Sequence, residues 1–352
     1  MPEPSKVLFF YLNNKAYQHY SKALIEAFRK DFDLSLILNK RNHYNRKLTP
    51  GVHLNIPEGF LGLALYAVPF FVICLFLLIG KLAKKNKALI FIPGFHPYNI
   101  IIISISKLLG LETINTVHDY VTHIGERNAL LEFVQKKCLM LSNKVVFLTE
   151  AELKKARIKG FAPKQYFVLP HPLPDVRSTH KLDYNPILRV LFLGRFREYK
   201  GINLIYECCQ KLENVHFTLA GKGPLPEHWD HSRKNLNIIN TWLKESYIKE
   251  LVLSHHLLVL PYIDASQSGV LCMGLSYEIP MIISKNEGLK EQLDDTGALW
   301  IEANTASLMS AIMKISRSRD DYEFLKSSVM EAKQQYLSKW EAAWKEFIQW
   351  LN

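Results

Sequence analysis

GFLGLALYAVPFFVICLFLLIGKLAKKNK, residues 59–87, carries no charge between Glu58 and Lys81 and then ends in four lysines within seven positions. About 20 apolar residues in a helix span roughly 30 Å, the thickness of a hydrocarbon core, so length admits a membrane span, a helix lying in one leaflet or a core helix. The surroundings choose between them. Short apolar runs flank the segment, KVLFFYL (6–12) and LSLIL (34–38) before it, ALIFIP (88–93), TINTV (113–117), KVVFL (144–148) and YFVLP (166–170) after it. Alternating with helical patterns, they read as βαβ units of a parallel sheet. A single span would strand two of these runs on the far side of a bilayer, whereas each crossover of a parallel sheet must return to that sheet. The segment is therefore expected to be a crossover helix, apolar all round and interrupted by Pro69, that is partly exposed and dips into one leaflet; a buried core helix and a true span are the alternatives. Lys81, Lys84, Lys85 and Lys87, with Lys40, Arg41, Arg46 and Lys47 ahead of the segment, would face anionic head groups at about 1 kcal/mol each. A solvated basic face is the plainer reading of the same residues.

At 352 residues and 48% hydrophobic content the chain exceeds the usual single-domain size, so two domains are expected. Its 44 Lys and Arg against 33 Asp and Glu give a net charge of +11, which favours an anionic partner: nucleic acid, an acidic membrane or a phosphorylated ligand. The basic residues are spread rather than interleaved with aromatics on one strand face, and no recognised module appears, so nucleic acid is not the expected partner. The five cysteines are scattered, odd in number and without a C-x-x-C pair. Neither a disulfide framework nor a zinc site is indicated, and a reducing compartment fits. MPEPSKVLFFYL lacks a charged leader and cleavage site, so no export signal is expected and the protein reads as cytoplasmic.

HPLPDVRSTHKLDYNP (171–186) is polar, aperiodic and holds three prolines, which places a domain boundary there. The alternation then restarts with LRVLFLG, VHFTLAG, LNIIN, LLVLP and PMIIS, the mark of a second doubly wound α/β domain. In the tail, Trp340, Trp344, Phe347 and Trp350 recur at spacings of four and three, a helical stripe that must pack on something.

Three loops carry the chemistry. VLFLGRFREYKG (190–201) ends a strand at Gly194, places Arg195 just past it and Lys200 at the start of the next helical pattern, where helix amides and two cations make a site for a diphosphate. FTLAGKGPLP (217–226) ends another strand at Gly221, where backbone can approach a ligand closely. In LPYIDASQSGVLCMGLSYEIPMIISKNEGLKEQL (260–293), Ser266, Gln267, Ser268 and Gly269 lead into a helix near Val270, an anion cradle at a helix N-terminus. Each alone has a structural reading: a surface pair, a loop glycine, an N-cap. Three such loops at the carboxyl ends of strands in one sheet go beyond capping.

GRFREYKG, LAGKGP and PYIDASQSGVLCMGLSYEIPMIISKNEGLKE, in this order and spacing, resemble the retaining GT-B glycosyltransferases of the group 1 type found in bacterial polysaccharide biosynthesis. The resemblance implies an α/β GT-B fold of two Rossmann-like domains facing a cleft. Residues 1–180 would bind the acceptor, with 59–85 as a membrane-facing segment; residues 187–320 would bind the nucleotide-sugar donor; residues 321–352 would cross back as a helix. It further implies that Arg195 and Lys200 meet the donor diphosphate, that Ser268, Gly269 and Val270 offer their loop and amides to phosphate and sugar, and that Trp242 and Leu243 pack the base. TVHDYVTH (116–123) resembles the strand-end loop whose histidine reaches the donor sugar, here His118 with Asp119 beside it.

Two departures stand out. The family's two glutamates, eight positions apart, fall on Ala265 and Met273, with Asp264 or Glu278 as substitutes; the glycine-rich loop after the first strand is replaced by NNKAYQHY (13–20). No carboxylate is placed as a nucleophile. The expected task is therefore stabilisation of a leaving diphosphate, with a nucleotide sugar as donor substrate and neither metal nor cofactor. The acceptor is expected to be a lipid-linked or other oligosaccharide, met by peripheral contact with an anionic membrane at its inner face. A degenerate, non-catalytic transferase acting as a scaffold is the alternative, and a nucleic-acid-binding protein a more distant one.

Overall fold

A computed structural model of the chain describes residues 6–12, 17–40, 51–82, 88–121 and 128–351. Strand β1 (Lys6–Tyr11) shows how the first sheet is made. Its side chains alternate: Val7, Phe9 and Tyr11 enter one core, Leu8 and Phe10 the other, so the strand is buried on both faces as parallel strands are. After it come α1 (Gln18–Asp31), β2 (Asp33–Asn39), β3 (Val52–Leu54), α2 (Phe60–Leu82), β4 (Ala88–Ile92), α3 (Asn99–Leu108), β5 (Glu112–Val117), α4 (Ala129–Leu141), β6 (Lys144–Phe147), α5 (Glu150–Ile158) and β7 (Tyr166–Val168). The sheet order is β3-β2-β1-β4-β5-β6-β7, all parallel.

The pairing of β1 with β4 answers the topological question raised by the apolar segment. Lys6 to Phe9 lie opposite Ala88 to Phe91. One strand precedes α2 and the other follows it, so a bilayer crossed by α2 would have to cut the sheet. The helix is a crossover. It is long and apolar enough to span, yet few of residues 60–80 are buried. Phe70, Cys74 and Leu78, one helical turn apart, fill the core, whereas Phe60, Leu61, Leu65, Val68 and Phe76 are exposed. The helix ends at Leu82, and residues 83–87, with Lys84, Lys85 and Lys87, lie outside the described residues, as do Arg41, Arg46, Lys47 and residues 13–16.

The second sheet is built from β8 (Arg189–Leu193), α6 (Ile202–Lys211), β9 (His216–Gly221), β10 (Leu236–Asn240), α7 (Glu245–Ser254), β11 (Leu257–Leu260), α8 (Gly269–Tyr277), β12 (Met281–Ser284), α9 (Glu287–Leu293), β13 (Leu299–Ile301) and α10 (Thr305–Arg317), with a turn of 3₁₀ helix at Glu198–Lys200. Its order, β10-β9-β8-β11-β12-β13, reverses between β8 and β11, the point at which doubly wound sheets take their ligands. Two strands escape sequence reading, β3 and β13. Both are three-residue edge strands, too short for a period and paired on one side only.

Helix α11 (Arg319–Leu351) joins the domains. Its first half buries Tyr322, Leu325, Val329, Ala332 and Tyr336 in the second core, and its last turns bury Trp344, Phe347 and Leu351 in the first. The Trp344 indole N–H donates to Asp31 at 2.9 Å, and the Lys144 ammonium donates to the Trp350 and Leu351 carbonyls at 3.2 and 3.3 Å. The aromatic stripe thus packs on the first sheet.

Candidate active site

At the end of β8, Gly194 takes a φ of 141°, a backbone that side chains rarely adopt. Gly221, ending β9, lies against it so closely that a Cβ there would fall 1.7 Å from the Gly194 carbonyl oxygen. The two glycines let neighbouring loops meet backbone to backbone. Arg195 is exposed and its guanidinium donates to the Tyr199 hydroxyl at 3.3 Å. Lys200 closes the 3₁₀ turn with its ammonium 4.2 Å from the centre of the Tyr262 ring and 5.6 Å from that of Tyr199. Burial opposes the charge on Lys200, but the two tyrosines outweigh it and its pKa is raised.

The β8 and β11 loops are bound together across the switch point. The Ile263 N–H donates to the Tyr199 carbonyl at 2.7 Å, and a Cβ on Gly201 would lie 2.0 Å from the Pro261 carbonyl oxygen. Tyr262 continues the connection, with its hydroxyl 3.5 Å from the Ser268 Oγ. That Oγ caps α8 by accepting from the Leu271 N–H at 3.2 Å, and the Ser268 N–H donates to Gln292 at 2.8 Å. Gly269 and Val270 open the helix, where amides have no acceptor within it. The Gln267 side-chain oxygen is buried without a hydrogen-bond partner.

From the first domain, His118 and Asp119 follow β5. The His118 Nε2 lies 2.8 Å from the Pro93 carbonyl, which can only accept, so Nε2 carries the proton and the buried Nδ1 is an acceptor with no partner. Burial pushes the imidazole down to about 4, against the pull of the Pro93 carbonyl and Asp119. Tyr17 stacks on the ring at 3.8 Å between centroids and Tyr20 meets it edge-on at 4.6 Å. Tyr20 in turn touches His171, whose Nε2 lies 3.1 Å from where a Cβ on Gly269 would be. Asp119 crosses the cleft: the Ser266 hydroxyl donates to it at 2.7 Å, while the Thr149 hydroxyl donates to the Ser266 carbonyl at 3.2 Å. Beside them the buried Glu152 accepts from the Tyr120 N–H at 2.5 Å, and burial raises its pKa.

Arg195, Lys200, Ser266, Ser268 and Gly269 therefore lie on the loops of one switch point, which Asp119 reaches from the other domain through Ser266, with His118 behind it against Tyr20. Trp242 and Leu243 stand apart, after edge strand β10 and two strands from β8; Trp242 is half exposed and Leu243 packs on the core. Ala265 and Met273 are buried among apolar neighbours. Glu278 does not serve as a substitute carboxylate: it ends α8 at the pole away from the cleft and is paired with Lys333 at 2.6 Å. Asp264 remains on the β11 loop. Sequence reading passed over Tyr199, Tyr262 and His171, although the histidine of VLPHP stands just past a strand run as His118 does. Among the described residues, no group of His, Cys, Asp and Glu is placed to hold a metal ion.

The family model described as glycosyl transferases group 1 matches residues 188–318. That stretch, the second sheet and its helices, is similar to the group 1 glycosyl transferases. No curated protein sequence matches the chain. Among solved structures, HepE of Anabaena in complex with UDP and glucose is 12% identical, with 97% of this chain and 99% of that one covered at a TM-score of 0.76. Sucrose-phosphate synthase from Thermosynechococcus elongatus is 13% identical over 98% of both chains, TM-score 0.70. The catalytic domain of starch synthase IV from Arabidopsis thaliana, bound to ADP and acarbose, is 14% identical over 98% of this chain and 100% of that one, TM-score 0.70. At such identities the likeness establishes the fold, which is GT-B over nearly the whole chain. The matched residues include Arg195, Lys200 and the α8 N-terminus; His118 and Asp119 lie outside them.

Proposed function

We propose that the chain is a retaining glycosyltransferase that moves a sugar from a nucleotide sugar to a lipid-linked saccharide at the inner face of the cell membrane, in the making of a cell-surface polysaccharide. One observation carries the reading: Lys200, Tyr262 and Ser268 form a continuous contact across the switch point of the glycosyl transferase domain, with Arg195 beside them. As the bond from the sugar C1 to the diphosphate oxygen breaks, negative charge gathers on that oxygen. Arg195, Lys200 and the Gly269 and Val270 amides are the groups to receive it, supplying what a divalent metal supplies in other transferases. The acceptor oxygen bonds to C1 on the face the diphosphate leaves, and the acceptor's proton passes to the departing phosphate. His118 holds the sugar: its unpartnered Nδ1 accepts from a sugar hydroxyl when the domains part to admit the donor. Asp264 adjoins Ala265, one of the two positions where the family's glutamates are replaced. The HepE structure, which holds UDP and glucose in the same fold, supports a nucleotide-sugar donor.

The exposed apolar face of α2 supports membrane attachment, with apolar burial supplying most of the binding and the lysines that follow it a salt-sensitive part. Serines at Leu61, Leu65, Val68 and Phe76 should move the protein to the soluble fraction with its fold intact; Phe70 is unsuitable because it is core. Retention is tested by the anomeric coupling of the product in NMR, which should match that of the donor. Inversion would overturn the mechanism. The second reading, a scaffold that binds nucleotide without turnover, is favoured by the apolar burial of Ala265 and Met273, and a donor that binds and is never consumed would establish it.

A further inference from the structure

Helices α2, α3 and α4 form one layer on one face of the first sheet: Phe70, Cys74 and Leu78 of α2, Ile102, Ile103 and Ile105 of α3 and Cys138 of α4 share a single core with Leu8, Phe10 and Ile90. The outer side of α4 departs from what a solvent-facing helix requires. Leu130, Phe133 and Met140 are 58%, 58% and 65% exposed, and with Lys137 between them they recur every three or four residues, hence along one stripe. Lys136 is exposed beside the stripe, and the Lys137 ammonium lies 5.4 Å from the centre of the Phe133 ring. Apolar side chains flanked by lysines on one helix face match the boundary between acyl chains and anionic head groups.

We propose that α4 is a second membrane-contacting helix, lying on the same anionic phospholipid surface as α2 with α3 between them; the inference rests on the attachment through α2 proposed above. A single helix in a leaflet leaves the protein free to roll about the helix axis, whereas two lines of contact fix its orientation. Both helices follow strands of one parallel sheet, so both begin at the carboxyl edge of that sheet, where the cleft opens. Leu61 and Leu65 on one helix and Leu130 and Phe133 on the other therefore lie toward the cleft side of the layer. Contact through both sets the cleft mouth at head-group level, where a lipid-linked acceptor presents its sugar.

The five native cysteines are buried, so a single introduced cysteine can carry an environment-sensitive fluorophore on the full chain. Labels at Phe133→Cys on α4, Phe76→Cys on α2 and the exposed Glu213→Cys on the second domain are titrated with vesicles of phosphatidylcholine containing phosphatidylglycerol. A blue shift is expected at positions 133 and 76 and none at 213. A response at 76 without one at 133 overturns the role of α4 and leaves attachment through α2 standing; silence at both overturns the two together. A shift at 133 that follows protein concentration without vesicles identifies a second copy of the chain as the occupant and also overturns it. As an independent readout, L130S/F133S/M140S should bind the same vesicles about tenfold more weakly, from the apolar area withdrawn, with its circular dichroism unchanged. Undiminished binding contradicts the proposal.

Discussion

Lys200 and Arg195, the cations proposed to meet the leaving group, stand on different footings. Two tyrosine rings hold the Lys200 ammonium in place, whereas Arg195 is exposed and donates to the Tyr199 hydroxyl. Either changed to alanine should leave the protein folded and lower transfer about 100-fold, the cost of removing one donor to a developing anion. Transfer at the wild-type rate with normal circular dichroism would remove the residue from the site. Tyr262→Leu should act through Lys200, lowering transfer less than K200A and not adding to it in the double variant. Gly221→Ala should abolish nucleotide binding, since its methyl has no room against the Gly194 carbonyl. These positions differ in how far the sequence discloses them. Glycines and cations after strands are conspicuous because few other reasons place them there. Tyr199 and Tyr262 are not, because an aromatic residue after a strand reads as core until the facing loop is known.

Among the elements, α11 and α2 were legible from pattern, and β3 and β13 were not. Period needs length: the aromatic stripe of α11 repeats over several turns, whereas a three-residue edge strand offers one alternation. The apolar segment was legible as a crossover only through its neighbours, since hydropathy admits a span and the β1–β4 pairing does not. Which of its residues face inward was not legible, because a helix apolar on all sides has no stripe to read. Trp344, packed on Phe28 at 5.2 Å and bonded to Asp31, pins the end of α11 to the first domain. Trp344→Ala should cost about 3–5 kcal/mol in chemical denaturation, the usual loss for a buried Trp. A loss near zero would mean that α11 does not hold the domains together.

Over the whole molecule, the domains are closed on one another by Ser266–Asp119, by Lys22–Glu245 at 2.8 Å, by Lys154–Glu287 at 3.1 Å, and by Glu291, which accepts from the Glu150 and Ala151 N–H groups at the start of α5 at 2.5 and 2.9 Å. None of these pairs is legible in sequence, since each joins residues more than 130 positions apart. Acid should loosen the molecule. Burial holds His118, His180 and His256 at about 4 and His171 at about 3, below the ordinary 6.5, so the folded chain keeps them neutral while the unfolded chain takes up protons. Their contribution is full above about 6.5 and is lost as pH falls toward 4. Buried Glu152 and Glu291, with raised pKa values, act in the opposite sense, but backbone N–H donors to each carboxylate limit their effect. The melting temperature should therefore fall steadily across that window; a flat profile would show that these histidines are not held neutral in the fold.

A nucleotide sugar is proposed to bind at the switch point of the second sheet and to be consumed there. The most direct measurement incubates the purified full chain with UDP-, GDP- and ADP-sugars in turn, following the thermal shift and the release of nucleoside diphosphate in the same samples. At least one donor should raise the melting temperature and yield its nucleoside diphosphate, and both signals should collapse in Lys200→Ala. Stabilisation and release that survive intact in Lys200→Ala and Arg195→Ala, or a panel that neither stabilises the protein nor is turned over, would contradict it.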